Sequence, residues 1–495
     1  MASDLKDLEL LIDSKVPLLV IESYEEPRVL EMLTRLAIRK ALSLYTWSVT
    51  EGICRLGFGN DAPSNEQNKN PTEALTTIKN AREASVYVLC DFHPYLRDEP
   101  VNVRLLREIA MRHQSLGHTI VLLSHKVDLP PEIKRYSARF ELSMPTEEQL
   151  MNLVREEAVN WSKQHRGQPV RSDPETFSQL VKNLKGVSLQ DARQLIRGVI
   201  YDDGAILESD LPEVNKAKFA LMDMEAVLSF EYNTAHFSEV GGLSKLKRWL
   251  SERQKAWQHR KDGNIDMPKG IMLLGVQGGG KSLAAKAVAG MWNLPLLRLD
   301  FGALYNKFHG ETERNLRDAL KLADLMSPCV LWLDEIEKGI STSDNDQGTS
   351  ARLLGTLLTW MAERKTAVFL VCTSNDISRL PPELIRKGRL DEIFFVDLPS
   401  PKVRADILKI HLNKRGEDAN DFDIPLLTQL TEGFSGADIE QAIVSALYSS
   451  SSVEDNLTTE KLAREIKETS PLSIVMQEKI DKLRAWASER CVFAD

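Results

Sequence analysis

The sequence predicts an α/β protein made of two successive parallel-sheet modules, with a helical region after the second. Three observations carry this. Short apolar runs alternate with helical periods over residues 1–205; the same alternation returns from Phe237 to about Pro399; beyond Pro399 the apolar runs stop and helical periods continue nearly to the end. Strands that alternate with helices imply a parallel sheet covered on both faces.

In the first stretch, strands are expected at Pro17–Ile21, Ala84–Cys90 and Thr119–Leu123, and one helix carries Val29, Leu33, Leu36 and Ala37 on a single face. The polar run Asn60–Pro71 reads as a surface loop, and residues 206–236 as a connector. The second stretch places strands at Gly270–Leu274, Val330–Leu333 and Ala367–Cys372. The expected boundaries are therefore 1–205, 206–236, 237–399 and 400–495.

Composition narrows the class. A chain of 495 residues, 42% hydrophobic and 27% charged, is that of an ordinary water-facing protein of two or three domains. The net charge of −9 disfavours broad binding to nucleic acid, which needs a basic surface. No stretch has the length and apolarity of a membrane span, and the start lacks the order of a signal peptide. The five cysteines are scattered without a C-x-x-C pair, and Cys90, Cys329 and Cys372 sit in apolar runs as small buried hydrophobes. A reducing compartment, the cytoplasm, is the expectation.

The chemistry concentrates in the second module. Gly275 to Ser282 spells G-x-x-x-x-G-K-S after an apolar strand and before an alanine-rich helix opening at Leu283. In such a loop Gly275, Gly278, Gly279 and Gly280 let backbone N–H groups surround a polyphosphate, at the positive end of the following helix. Lys281 would reach the β- and γ-phosphates of ATP, or the β-phosphate of ADP, and the Ser282 hydroxyl would take a Mg²⁺ position. Farther on, Val330-Leu-Trp-Leu-Asp-Glu335 brings two acids to the carboxyl end of a buried strand. Asp334 would hold Mg²⁺ and Glu335 would polarise the attacking water. Two acids after a strand are common; behind a phosphate loop in the same module they are specific.

From Phe237 to about Tyr448 the sequence resembles the classical AAA ATPases segment by segment. Phe237-Ser-Glu-Val-Gly-Gly-Leu243 is similar to the family's entry motif, which implies adenine contacts at Val240 and Gly241. Thr373-Ser-Asn375 resembles its sensor motif, with Asn375 orienting the lytic water. Leu380-Pro-Pro-Glu-Leu-Ile-Arg-Lys-Gly-Arg-Leu-Asp391 resembles the arginine-finger segment, so Arg386 and Arg389 would act on the ATP of a neighbouring subunit. Thr431-Glu-Gly-Phe-Ser-Gly-Ala-Asp438 matches the helical lid, where Gly436 and Ala437 lie near base and ribose. Ile407 and His411 occupy the positions that flank adenine, with ordinary helix packing an equal reading. Lys307-Phe-His-Gly310 falls at the family's pore loop, so Phe308, His309 and Gly310 would face a threaded polypeptide; core packing of Phe308 is the competing view.

There are departures. Val276-Gln277 replaces the usual Pro-Pro, Gly279 the usual Thr, and His309 a small aliphatic. Asp334-Glu-Ile-Glu-Lys338, the run Gly348 to Met361, Ser470-Pro-Leu-Ser473 and Leu483-Arg-Ala-Trp-Ala487 resemble the AAA family named after a conserved hypothetical chloroplast reading frame. That resemblance spans nearly the whole chain. It implies a P-loop AAA+ ATPase domain with a C-terminal helical lid, a ring or spiral of six copies, and a role in photosynthesis or inorganic-carbon use in cyanobacteria or the plastid stroma.

The first module echoes the second. Leu129-Pro-Pro-Glu-Ile-Lys-Arg135 parallels Leu380 to Arg386, Phe140 to Pro145 parallels Phe394 to Pro399, and Gly186 to Asp191 parallels Gly433 to Asp438. Where a phosphate loop should follow Leu18–Ile21, the chain reads Glu22-Ser-Tyr-Glu-Glu-Pro-Arg28, without glycine or lysine, and its carboxylates would repel a polyphosphate. The acidic strand end is Asp91-Phe92, lacking the second acid. A degenerate AAA-like domain that binds no nucleotide is expected there.

Two functions fit. One is a motor whose ATP turnover remodels a protein partner, favoured by Phe308. The other is a nucleotide-dependent switch or scaffold with slow hydrolysis and partner binding through the first module, favoured by the altered loop and His309. A DNA-directed role is disfavoured by the charge and the lack of a helix-turn-helix, and the H-E-x-x-H of a zinc protease is absent.

Overall fold

The computed structural model describes residues 2–56, 68–222, 228–231, 237–258, 267–304, 311–339, 347–377, 380–384, 386, 388–450 and 457–495. They form two compact units, Met1–Pro145 with Ser188–Gln190, and Thr146–Val187 with Asp191–Asp495.

The first unit holds β1 (Leu18–Glu22), β2 (Ser43–Ser48), β3 (Gly52–Leu56), β4 (Ser85–Cys90), β5 (Thr119–Ser124) and β6 (Ser137–Phe140), in the order β3-β2-β4-β5-β1-β6. Only the β2–β3 pairing is antiparallel. Alternate residues of the central strands face opposite ways. Leu18, Val20, Tyr87, Leu89, Ile120 and Leu122 enter one core; Leu19, Ile21, Val86, Val88, Val121 and Leu123 enter the other, where the helix Glu26–Lys40 lays Val29, Leu33, Leu36 and Ala37. Burial on both faces explains why these strands read as unbroken apolar runs.

In the second unit, β7 (Arg171–Ser172) and β8 (Ala205–Ile206) form a small pair among helices. The main sheet contains β9 (Leu228–Glu231), β10 (Gly270–Gly275), β11 (Leu296–Asp300), β12 (Cys329–Asp334), β13 (Val368–Ser374), β14 (Glu392–Val396) and β15 (Val492–Phe493). Its order is β15-β14-β10-β13-β12-β11-β9, with β9 alone antiparallel to its neighbour. Two cores again split the strands by parity: Met272, Leu331, Leu333, Leu370 and Cys372 on one side, Ile271, Leu273, Val330, Trp332, Phe369 and Val371 on the other.

The two sheets repeat one topology. The run β2-β4-β5-β1-β6 in the first corresponds, strand for strand in chain order, to β11-β12-β13-β10-β14 in the second. Each outer parallel strand, β2 and β11, carries one antiparallel companion. The first module is thus AAA-like in fold as well as in its short sequence echoes.

Several expectations change. The segment 146–205, read as part of the first module, falls largely in the second unit: its helices Glu147–Gln164, Pro174–Asn183 and Leu189–Asp203 are followed by Leu211–Leu221, whose buried Lys218 donates to the carbonyls of Asn183 and Leu325, both at 2.9 Å. The connector 206–236 is correspondingly structured in part, since it contains that last helix and β9. Strands do not stop at Pro399. β15 returns to pair with β14, and Phe493 meets Phe395 edge to face at 5.3 Å; two residues are too few to show a period. Within Asn60–Pro71 the last residues are helical in role: Asn70 caps the helix Pro71–Asn80 through its side chain, and residues 60–67 lie outside the described set. Among the described residues no helix is long and apolar enough to cross a membrane.

Candidate functional site

A cavity of about 480 Å³ opens at the carboxyl end of the second sheet, where β10, β12 and β13 end and the helices Pro401–Lys414 and Gly436–Ser449 approach. Crevices outside the carboxyl ends of parallel strands are where such sheets bind ligands.

The loop after β10 is shaped by close approach. A Cβ on Gly275 would lie 2.0 Å from the carbonyl oxygen of Val396 on β14, and one on Gly278 2.7 Å from Ser435 Oγ. Gly278 and Gly280 have φ of 73° and 94°, a region side chains avoid. Gly280 precedes the helix Lys281–Trp292, and no side chain caps that helix N-terminus. Gly278, Gly279, Gly280, Ser282 and Leu283 line the cavity; Gly275 does not, but its carbonyl accepts from Lys281 Nζ at 3.0 Å. Lys281 is buried and also donates to the Val276 carbonyl at 2.7 Å. Burial pushes its ammonium down to about 8, against the pull of Glu337, Glu335 and Asp334.

The acids sit opposite. Asp334 Oδ1 accepts from Thr373 Oγ1 at 2.7 Å, and Oδ2 pairs with Arg298 Nη2 at 2.8 Å. Glu335, at φ 46°, receives Asn375 Nδ2 on Oε1 at 2.9 Å and pairs with Lys338 through Oε2. Glu337 is buried, its Oε1 accepting from the Asn375 backbone N–H at 2.9 Å while Oε2 has no partner among the described residues.

The third wall is apolar. Val240 and Gly241 face Ile407 and His411 across the cavity lining, joined by Gly436 and Ala437. A Cβ on Gly241 would come within 2.8 Å of Ile407 Cγ1. The Ala437 N–H donates to the Gly278 carbonyl at 3.3 Å and ties the helical region to the phosphate loop. Burial holds the His411 imidazole below its ordinary range, and Arg415 Nη1 lies 3.2 Å from His411 Nδ1. Glu440 Oε1 lies 3.5 Å from the same nitrogen, and Arg415 Nη1 also donates to the His411 carbonyl at 3.1 Å.

The donor set fits a Mg²⁺-bound nucleotide. Uncapped helical N–H groups and a buried lysine suit phosphates, an oxygen-only pair of Ser282 and Asp334 suits Mg²⁺, and an apolar slot suits a base. Arg386 is exposed and Arg389 donates to the Glu383 carbonyl; neither lines this cavity. Phe308, His309 and Gly310 lie outside the described residues. Thr373, Arg298 and Glu337 complete the acidic side. Thr373 and Glu337 stood inside motifs that gave them no role, and Arg298, on a neighbouring strand, gave no local signal.

Comparison with known proteins agrees. Residues 271–398 match the ATPase family associated with various cellular activities (AAA), 4–142 match the SpoVK-like AAA ATPase N-terminal domain, and 148–225 the second domain of the same type. Fold and site together define an AAA ATPase-family protein with a nucleotide-type cavity in its second sheet. Over 492 residues the chain is 35% identical to the uncharacterized AAA domain-containing protein ycf46 of Pyropia yezoensis, covering 98% of this chain and 97% of that one. It is also 35% identical over 496 residues to ycf46 of Guillardia theta, covering 98% and 95%. The chain belongs to the ycf46 family of AAA-domain proteins. A proteasome-activating nucleotidase of Aeropyrum pernix is 35% identical over 272 residues, which are 52% of this chain and 65% of that protein.

Proposed function

We propose that the chain binds ATP with Mg²⁺ and hydrolyses it in a ring of six copies, using turnover to remodel a protein partner. The observation that carries this reading is the convergence of Lys281, Asp334, Glu335 and Asn375 on one cavity. Lys281 and the loop N–H groups hold the phosphates. Ser282 and Asp334 would hold Mg²⁺, which neutralises charge on the phosphoryl oxygens. Glu335, steadied by Asn375, polarises the attacking water. Val240, Gly241, Ile407, His411, Gly436 and Ala437 enclose base and ribose. Arg386 and Arg389, away from this cavity, serve the site of the adjacent subunit. Phe308, His309 and Gly310 belong to the proposal as a pore loop by family position only.

A second reading, a slow nucleotide-dependent switch, is favoured by the ion pairs that engage both acids, Asp334 with Arg298 and Glu335 with Lys338. The cytoplasm or plastid stroma as location, and a part in photosynthesis or inorganic-carbon use, rest on the family resemblance alone. Phosphate release by Glu335→Gln tests the catalytic assignment. The variant is expected to keep ATP bound and lose turnover at least about 100-fold; unchanged turnover sinks the role of Glu335.

A further inference from the structure

The carboxyl end of the first sheet carries a second constellation of side chains. Asp91 follows β4, His93 opens a short turn two residues later, Ser124 ends β5 and His125 comes next. One ligand atom from each of Asp91, His93 and His125 lies within 4.8 Å of the other two, the one such group of three among the described residues.

Ser124 Oγ stands in their midst. It donates to Asp91 Oδ1 at 2.8 Å. With its single proton used there, it accepts from His93 Nδ1 at 2.9 Å, so the His93 lone pair lies on Nε2. His125 Nδ1 is 3.4 Å from the same oxygen. The two imidazoles stand edge to face with centroids 5.1 Å apart, and Tyr24 stacks on His125.

We propose that Asp91, His93 and His125 bind one divalent transition-metal ion, zinc being the ion their donors fit best. Two imidazole nitrogens and one carboxylate oxygen form a set that zinc accepts with a fourth position left open. Imidazole donors also select against Mg²⁺ and Ca²⁺, which take oxygen. Zinc bonds of about 2.1 Å place tetrahedral ligand atoms about 3.4 Å apart, so the group must draw together by up to about 1.4 Å. Asp91 and His125 are exposed and His93 half-buried, which gives them room to do so. Ser124 becomes the hydrogen-bonding partner that orients Asp91 and fixes the His93 tautomer.

The position adds weight. In the second module the corresponding strand β12 ends in Asp334 and Thr373 is the last residue but one of β13, the two also joined by a hydroxyl–carboxylate hydrogen bond. The first module lacks a phosphate loop yet keeps polar ligands at the same edge, with nitrogen donors in place of an oxygen-only set. This proposal does not depend on the nucleotide reading of the second module.

The test uses the full-length protein without an affinity tag, stripped by chelator and free of nucleotide. It is titrated with Zn²⁺ by calorimetry and with Co²⁺ by visible absorption. One equivalent of Zn²⁺ and ligand-field bands from Co²⁺ are expected. His93→Ala and His125→Ala should each lose more affinity than the about 10- to 100-fold that removal of an orienting partner costs. Asp334→Asn should bind as the wild type does. Because His125 is exposed, the thermal unfolding of metal-free His125→Ala should match wild type, and His125→Cys should recover Zn²⁺ binding through its thiolate. Absence of a stoichiometric site, full binding by His125→Ala, or loss in Asp334→Asn would overturn the proposal.

Discussion

Nucleotide affinity should fall with rising pH on the alkaline side, because of Lys281. Burial lowers its ammonium to about 8 in the nucleotide-free protein. A polyphosphate beside Nζ favours the charged form and lifts that value, so binding above pH 8 takes up a proton. At pH 9 about 90% of free sites carry neutral lysine, which weakens binding about tenfold, or about 1.4 kcal/mol, relative to neutral pH. Uptake should be about 0.9 proton per site at pH 9 and about 0.1 at pH 7. The sign for folding follows from the same group. The unfolded chain holds more protons between pH 8 and 10.5, so nucleotide-free stability gains from Lys281 as pH rises through that window. Calorimetry of ADP binding at fixed Mg²⁺, in two buffers of different ionisation enthalpy at each pH, measures affinity and proton uptake together. Equal affinity at pH 7 and 9 with no proton uptake would refute the reasoning.

Two further substitutions probe the surroundings. Gly278→Ala places a Cβ 2.7 Å from Ser435 Oγ at a φ of 73°, so it should cost about 1–3 kcal/mol in stability or nucleotide affinity, read by thermal unfolding and calorimetry. Arg386→Ala or Arg389→Ala should bind ATP normally and hydrolyse it poorly. Mixing with Lys281→Ala subunits should restore phosphate release, and no rescue in confirmed mixed assemblies would count against shared sites.

Strand identity was legible wherever burial on both faces made an unbroken apolar run: β1, β4, β5, β10, β12 and β13 all lie within a residue or two of expectation. The peripheral strands were not. β2 and the edge strand β3 are only partly buried, and the edge strands β9 and β15 are short, so none gives a clear run. The cavity was legible for a different reason. Its phosphate loop and acid pair are contiguous in sequence, and a strand end fixes where each emerges. Contacts between strands left no such trace. The Arg298–Asp334 pair follows from the parallel register of β11 and β12, which sets Asp300 against Asp334, and no local pattern announces it. The division after Pro145 left as little trace, because the buried Lys218 that joins helices of the second unit sits in an otherwise ordinary amphipathic stretch. The repeat, by contrast, was carried by short turn motifs, and the shared strand order of the two sheets bears it out.

Of two modules with one topology, only the second is proposed to hold nucleotide. Calorimetric titration of ATP with Mg²⁺ into the full-length wild type and Lys281→Ala tests it most directly. One site per chain is expected in the wild type and none in the variant. Two sites per chain, or micromolar binding that survives Lys281→Ala, would contradict it.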